Sequence, residues 1–169
     1  MRVLSIDPGY ERIGFAVLEK EGGSSREKVL YSDCFKTSAT QPFSVRLKLI
    51  GDEMKQIIDA HMPVACAIEK LFFNTNQKTA MLVSEVRGML LFVAETNNLS
   101  IHEYTPPQIK NAITGDGHCS KKQIISMIPK LVSIKKDIQY DDEYDAIAIG
   151  ITFLARERME NLLCPERRT

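Results

Sequence analysis

The stretch Arg2–Leu18, RVLSIDPGYERIGFAVL, decides the fold. Val3, Leu4 and Ile6 put branched apolar side chains on both faces of a short run, which fits a central strand better than an exposed edge. The run ends on one carboxylate, Asp7. Pro8 and Gly9 stop it, because proline has no N–H for a ladder and glycine tolerates a tight turn. Ile13, Phe15 and Val17 then restart a period of two, so the stretch reads as strand, turn, strand in an antiparallel hairpin. A carboxylate at the end of a core strand costs desolvation unless it has a task. Taken alone, Asp7 reads as a turn residue that accepts from nearby N–H groups. Other carboxylates would have to join it to change that reading.

Outward from the hairpin, Val29–Thr37 is a third strand and completes a meander. Apolar residues then recur at helical spacing from Pro42 to about Ala60. Pro63 ends that helix, and Val64–Ile68 is a compact apolar strand that runs into Glu69. A second strand thus finishes on a carboxylate. Asn74 or Thr75 is a candidate cap for a helix from about Asn76 to Thr96, whose Met89–Ala94 portion is apolar all round. Such a helix is covered on two sides, by the sheet and by either another helix or a second copy of the chain, with the dimer contact preferred.

Leu99–Tyr104 gives a fifth strand, and Thr105-Pro106-Pro107 starts a short helix to Ile113. A Gly-rich loop, TGDGHCSKK, leads to a helix from about Ser120 to Val132 interrupted at Pro129. Ser133–Tyr140 is basic and loop-like. The last helix, Asp141–Met159, reads as amphipathic, with acids in its first turn and arginines in its last. The order describes a mixed α/β or α+β layer of five strands flanked by helices. Residues 1–160 form one domain and 161–169 a disordered tail.

With 169 residues, 22 basic and 22 acidic side chains, the chain fits a single core, and its zero net charge excludes a generic polyanion binder. A basic surface, if present, must be local. No apolar run is long enough to span a membrane. The chain opens directly on a strand, without the pattern of an export signal. Cys34, Cys66, Cys119 and Cys164 are scattered without a CxxC pair, which suits reduced thiols in a cytoplasmic protein.

Asp142 and Asp145 stand at i and i+3 of the last helix and share a face that Ala146 and Ile149 place toward the core. Asp141 and Glu143 point elsewhere and read as helix-dipole decoration. If Asp7, Glu69, Asp142 and Asp145 converge, each pair at ~4 Å repels by roughly 4 kcal/mol at an effective dielectric near 20. Such a cluster calls for cations or bound protons. All-oxygen ligation suits Mg²⁺ or Mn²⁺ and not zinc. Two such ions are the usual device for in-line phosphoryl displacement.

The IDPG hairpin, IEKLFFNTN with SEVRG, EYTPPQIK, the GDGHCSK loop and DDEYDAIAIGIT, in that order, closely resemble the RuvC family of bacterial Holliday-junction resolvases. The likeness covers Met1 to about Leu154. It implies a ribonuclease H-like fold, a homodimer, and Mg²⁺-dependent cutting of two opposed strands of four-way junction DNA. The products implied are a 5′-phosphate and a 3′-hydroxyl. By position, it makes Asp7, Glu69, Asp142 and Asp145 the catalytic ligands of two Mg²⁺ ions, with Mn²⁺ an alternative.

The resemblance also marks the DNA-facing residues. Phe72 takes the place of a base-stacking wedge, with Phe73 beside it as support or local core. Lys110 and Lys121 match lysines near the scissile phosphate, and Lys122 joins them. Lys130, Lys135 and Lys136 extend a candidate phosphate track, opposed mainly by Asp116 and Asp137. His118 reads as a solvent-facing loop residue, and Arg87 as an internal salt bridge or a packing residue. A branch-migration helicase complex is a further candidate partner. The competing readings are a RuvX-like, RNA-directed nuclease, a catalytically idle junction-binding module, and an actin-like sugar kinase. The FFNTN and DxxDA segments, the intact carboxylate set and the short chain count against them.

Overall fold

A computed structural model describes residues 1–20, 27–71 and 77–163. The first hairpin forms as read, with β1 (Arg2–Asp7) antiparallel to β2 (Arg12–Glu19), and β2 in turn antiparallel to β3 (Glu27–Lys36). After α1 (Phe43–His61), β4 (Ala65–Glu69) pairs parallel to β1. After α2 (Gln77–Thr96), β5 (Ser100–Tyr104) pairs parallel to β4. The chain continues through α3 (Pro106–Thr114) and α4 (Lys121–Leu131) to β6 (Val132–Ser133), and closes with α5 (Asp141–Leu163). The mixed sheet has the order β5-β4-β1-β2-β3-β6.

The sheet has one strand more than expected. β6 is only two residues, Val132 and Ser133, laid parallel to Glu27 and Lys28 of β3. A pairing that short leaves no periodicity to read and is created by the tertiary fold.

Alternation along the strands splits the core in two. Leu4, Ile6, Ile13, Phe15, Val17, Cys66 and Ile68 face α1 and α2. Val3, Ala16, Leu18, Ala65 and Ala67 face α3, α4 and α5. The residues toward α5 are mostly small, so that helix lies close to the sheet. A Cβ on Gly150 would come within 2.5 Å of Leu18 Cδ1 and 2.8 Å of Ser5 Oγ, so any larger residue would have to push those side chains aside.

Three helix readings are corrected. From Ala146 to Leu154 every residue of α5 is buried, so this helix is not amphipathic there; α3 and α4 cover the side away from the sheet. It also runs on past Met159 to Leu163, which leaves Arg156 and Arg158 inside it and no basic residue in its last turn. α4 passes through Pro129 uninterrupted, since a proline so near the C-terminal end removes only one of the last helical bonds. Among the described residues no helix is long and apolar enough to cross a membrane.

Candidate active site

The register of the sheet places the first two carboxylates. Ile6 on β1 lies opposite Ile68 on β4, so Asp7 and Glu69 continue that parallel register one residue further. Neighbouring strands are about 4.8 Å apart. Ile6 and Ile68 point into the α1/α2 core, and successive side chains alternate, so Asp7 and Glu69 both face α5. On the other side Asp7 pairs with Gly14 of β2, and Gly14 pairs with Cys34 of β3. One row thus crosses four strands: Glu69, Asp7, Gly14, Cys34.

The N-terminus of α5 is seated on this row at Gly14. A Cβ there would lie 2.6 Å from the carbonyl carbon of Asp142 and 3.1 Å from Ala146 Cβ, so only glycine lets the helix come this close. Asp142 and Asp145 are both partly buried. Arg12 Nε stands 3.3 Å from Asp142 Oδ2, and Cys34 Sγ donates to the same oxygen at 3.8 Å. Lys121 Nζ donates to Asp145 Oδ2 at 2.8 Å and lies 3.3 Å from Asp141 Oδ2.

Capping boxes aim the lysines. Thr105 and Gln108 bond reciprocally at the start of α3, and Ser120 and Gln123 do the same at the start of α4. Lys110 therefore leaves the first turns of α3, where its charge acts on Glu69. Lys121 and Lys122 begin α4, at the positive end of the helix dipole, where a cation is unfavourable without anionic partners. For Lys121 those partners are Asp145 and Asp141. Lys122 is exposed, and His118 is exposed in the preceding loop. Phe72 and Phe73 lie outside the described residues.

Two sequence readings change here. Lys136 is not an open member of a phosphate track: its Nζ donates to the Ser32 carbonyl and stands 2.7 Å from Glu143 Oε1. Glu143 is not dipole decoration either, since it is only 3% exposed. The pair is a close charge contact without aligned hydrogen-bond geometry at Oε1. Asp141 also has a partner, Lys121. Arg87 does have the internal role expected of it: it pairs with Glu103, and its Nε donates to the Glu69 carbonyl at 3.2 Å, which steadies the end of β4.

The electrostatics bear the mark of crowded acids. Burial, and then the charges of Asp145, Glu69 and Asp142, hold Asp7 well above the usual carboxylate range. Burial and Asp145 push Glu69 up to about 7, against the opposing pull of Lys110 and Lys121. Asp145 is raised by burial despite its bond to Lys121. Burial would lower Lys121, but its contacts to Asp145 and Asp141 raise it overall. Among the described residues no three potential ligands are drawn tightly enough to form a ready-made cage. The donor set is nevertheless four hard oxygen groups, with Arg12, Lys110 and Lys121 as the cations that act on them. That chemistry fits Mg²⁺ or Mn²⁺.

A family model described as crossover junction endodeoxyribonuclease RuvC matches residues 3–153. The chain belongs to the RuvC family. It is 41% identical over 152 residues to the RuvC crossover junction endodeoxyribonuclease of Brevibacillus brevis, covering 90% of each chain. It is 36% identical to that of Finegoldia magna over 96% of this chain and 98% of the other. The solved structure of Thermus thermophilus RuvC in complex with a Holliday junction substrate superposes with a TM-score of 0.87 at 28% identity, covering 94% of this chain and 96% of that one. The RuvC fold is ribonuclease H-like, as the resemblance implied.

Within this RuvC frame, sequence reasoning missed Arg12 and Cys34. Arg12 follows a turn and looks like any exposed arginine. Cys34 sits toward the end of a strand and reads as one of four scattered thiols. Their common signal is register: only the pairing of β2 with β3 shows that both stand beside the start of α5.

Proposed function

We propose that Asp7, Glu69, Asp142 and Asp145 are the catalytic metal ligands for the reaction of this family, Holliday-junction resolution by a divalent-metal-dependent endonuclease through paired symmetric nicks. The observation that carries the assignment is the delivery of four carboxylates from β1, β4 and α5 to one end of the sheet, facing one another. Two Mg²⁺ ions, replaceable by Mn²⁺, are the cofactor this set suits. When bound, such ions make the attacking water more acidic and stabilise the departing 3′-oxygen.

The chain's own residues supply position and charge. Asp7 and Glu69 are fixed by a parallel strand pair, which holds them more rigidly than a loop would. Asp142 and Asp145 are fixed by the seat of α5 on Gly14. Lys110 favours the ionised form of Glu69. Lys121, held by Asp145 and Asp141, would set a fixed positive charge beside the scissile phosphate, where it favours the charge that develops in the transition state. Lys122, Phe72 and Phe73 belong to the DNA-facing side in this reading, with Phe72 as the stacking wedge.

A two-fold symmetric junction needs two equivalent sites, which a C2 homodimer supplies. The exposed Phe92 of α2, beside a groove lined by Leu47, Gly51, Met89 and Val93, is the face we assign to the second copy. A branch-migration helicase complex is the further partner this reading allows, in the cytoplasm.

Cleavage of a synthetic mobile four-way junction, beside a linear duplex and an RNA–DNA hybrid, tests the reading with Mg²⁺ or EDTA and with Asp7→Asn. The expected result is paired nicks in the junction alone, abolished by EDTA and by the substitution. Cutting of the hybrid alone would move the chain to RNA-directed chemistry. Junction binding without cutting under any metal would mark an idle module.

A further inference from the structure

Cys34 is buried, faces α5, and has no part in the mechanism above. It closes the row Glu69–Asp7–Gly14–Cys34 on the side opposite the other ligands. Because Gly14 has no side chain, the start of α5 rests on it, with Asp7 on one side and Cys34 on the other. An aspartate at that place has several χ1 wells and a broad χ2, and only some of them send an oxygen toward Asp7. Among the described residues, two groups meet its carboxylate, both at Oδ2: Cys34 Sγ at 3.8 Å and Arg12 Nε at 3.3 Å. The Arg12 side chain is 53% exposed, so water and salt screen its pull. The Cys34 contact is made inside the fold.

We propose that Cys34 is a positioning residue for Asp142, its thiol holding Oδ2 toward β3 and so presenting Oδ1 to the metal. The inference rests on Asp142 being a ligand. Cys34 touches neither the metal nor DNA and acts through the carboxylate alone. A thiol suits the place on two counts. It is small enough to sit under the helix without lifting α5 from Gly14, and as a neutral donor it does not compete with a cation for the carboxylate. Outer-shell partners of this kind set metal affinity by orienting the ligand.

The test is Mn²⁺ binding to the full chain by calorimetry without DNA, followed by junction cleavage across Mn²⁺ concentration. Cys34→Ala is expected to weaken Mn²⁺ binding about tenfold, the low end for an outer-shell partner. Half-saturation of cleavage should shift by the same factor, with kcat at saturating metal little changed. Cys34→Ser restores a donor and is expected to bind Mn²⁺ close to wild type. An alanine variant with unchanged affinity overturns the proposal, as does a serine variant as weak as alanine or a loss confined to kcat. Asp142→Asn separates the two levels. If it binds Mn²⁺ like wild type, the ligand assignment fails and the inference with it; if it loses binding while Cys34→Ala does not, the inference alone fails.

Discussion

Gly14 and Asp142 meet backbone to backbone: a Cβ on Gly14 would overlap the Asp142 carbonyl, with the carbonyl carbon only 2.6 Å away. The contact ties the middle of the β1–β2–β3 meander to the first turn of the helix that carries two of the four acids. Gly14→Ala must therefore lift α5 or bend β2. Overpacking of this kind costs about 3 kcal/mol, the upper part of its usual range. Cleavage should fall on the order of 100-fold, since displacing a reacting group by about 1 Å is enough for that. Thermal melting and junction cleavage check the pair, and a variant that melts and cuts like wild type would show that α5 is not seated there.

The acids at the site make stability depend on pH in a definite direction. Asp7, Glu69 and Asp145 all have raised values in the folded chain, Glu69 at about 7. Between the ordinary carboxylate range and neutrality, the folded state holds more protons than the unfolded state. The stability from these groups is full below the unfolded pKa and is lost as pH rises through the folded one. The metal-free chain should therefore lose the Glu69 part of this contribution as pH rises from the ordinary glutamate value of 4.5 through about 7. Mn²⁺ should stabilise most at the alkaline end, where it meets no competing protons. Denaturation midpoints against pH, with and without Mn²⁺, measure this. Glu69→Gln should flatten the metal-free slope.

Much of this was legible because it is periodic or punctuated. The hairpin, β4 ending on Glu69, the Thr105 helix start and the Asp142/Asp145 pair all follow from alternation, proline placement and i,i+3 spacing. The partners were hidden because they depend on register and helix covering. The residues Ala146–Leu154 are apolar nearly all round, which calls for cover on both sides as at Met89–Ala94, but they do not say that α3 and α4 supply it, and nothing local to Glu143 says that Lys136 will meet it. The Phe92 side of α2 makes the converse point. Its all-round apolar pattern predicts two covered faces, and the single chain leaves Phe92 71% exposed.

The Lys136–Glu143 contact joins the segment before α5 to the first turn of that helix, and the Lys136 bond to the Ser32 carbonyl holds the same segment against β3. Removing only the lysine leaves a buried carboxylate without its cation. Breaking a buried pair typically costs 3–5 kcal/mol, and about 3 is expected here because Lys136 is half exposed. Replacing both at once, as Lys136→Met with Glu143→Leu, should recover most of that loss, because no charge is then stranded. Urea midpoints of the two single variants and the double variant form the cycle. A double variant as unstable as Lys136→Met alone would mean that the packing of the lysine stem, and not the charge, sets the cost.

Lys121 and Lys122 are adjacent in sequence but should differ in kinetics. Lys121→Met removes the cation from Asp145 and Asp141. It should lower kcat by about 10²–10³ while Mn²⁺ binding holds or tightens, since a fixed competitor is gone. Lys122→Ala should leave kcat nearly intact. It should weaken junction binding at all sequences and reduce the salt slope by about 1, as expected for one phosphate contact. Single-turnover cleavage and salt-dependent binding separate the two. Equal kcat losses at both positions would make Lys121 a general DNA contact.

The exposed face of α2 gives the last test. Phe92 lines a groove of about 400 Å³ together with Leu47, Gly51, Met89 and Val93. In a C2 dimer through this face, each Phe92 packs on the other copy, which buries two such side chains at about 2 kcal/mol each. Phe92→Glu replaces that gain with a carboxylate that cannot be buried unpaired. Sedimentation should then show a monomer at concentrations where wild type is dimeric, with folding and Mn²⁺ binding unchanged. Paired nicks should give way to single, uncoordinated ones, because the carboxylates of each site come from one chain and only their coupling runs through the interface. A Phe92→Glu chain that remains dimeric and still cuts in pairs would move the interface to another face.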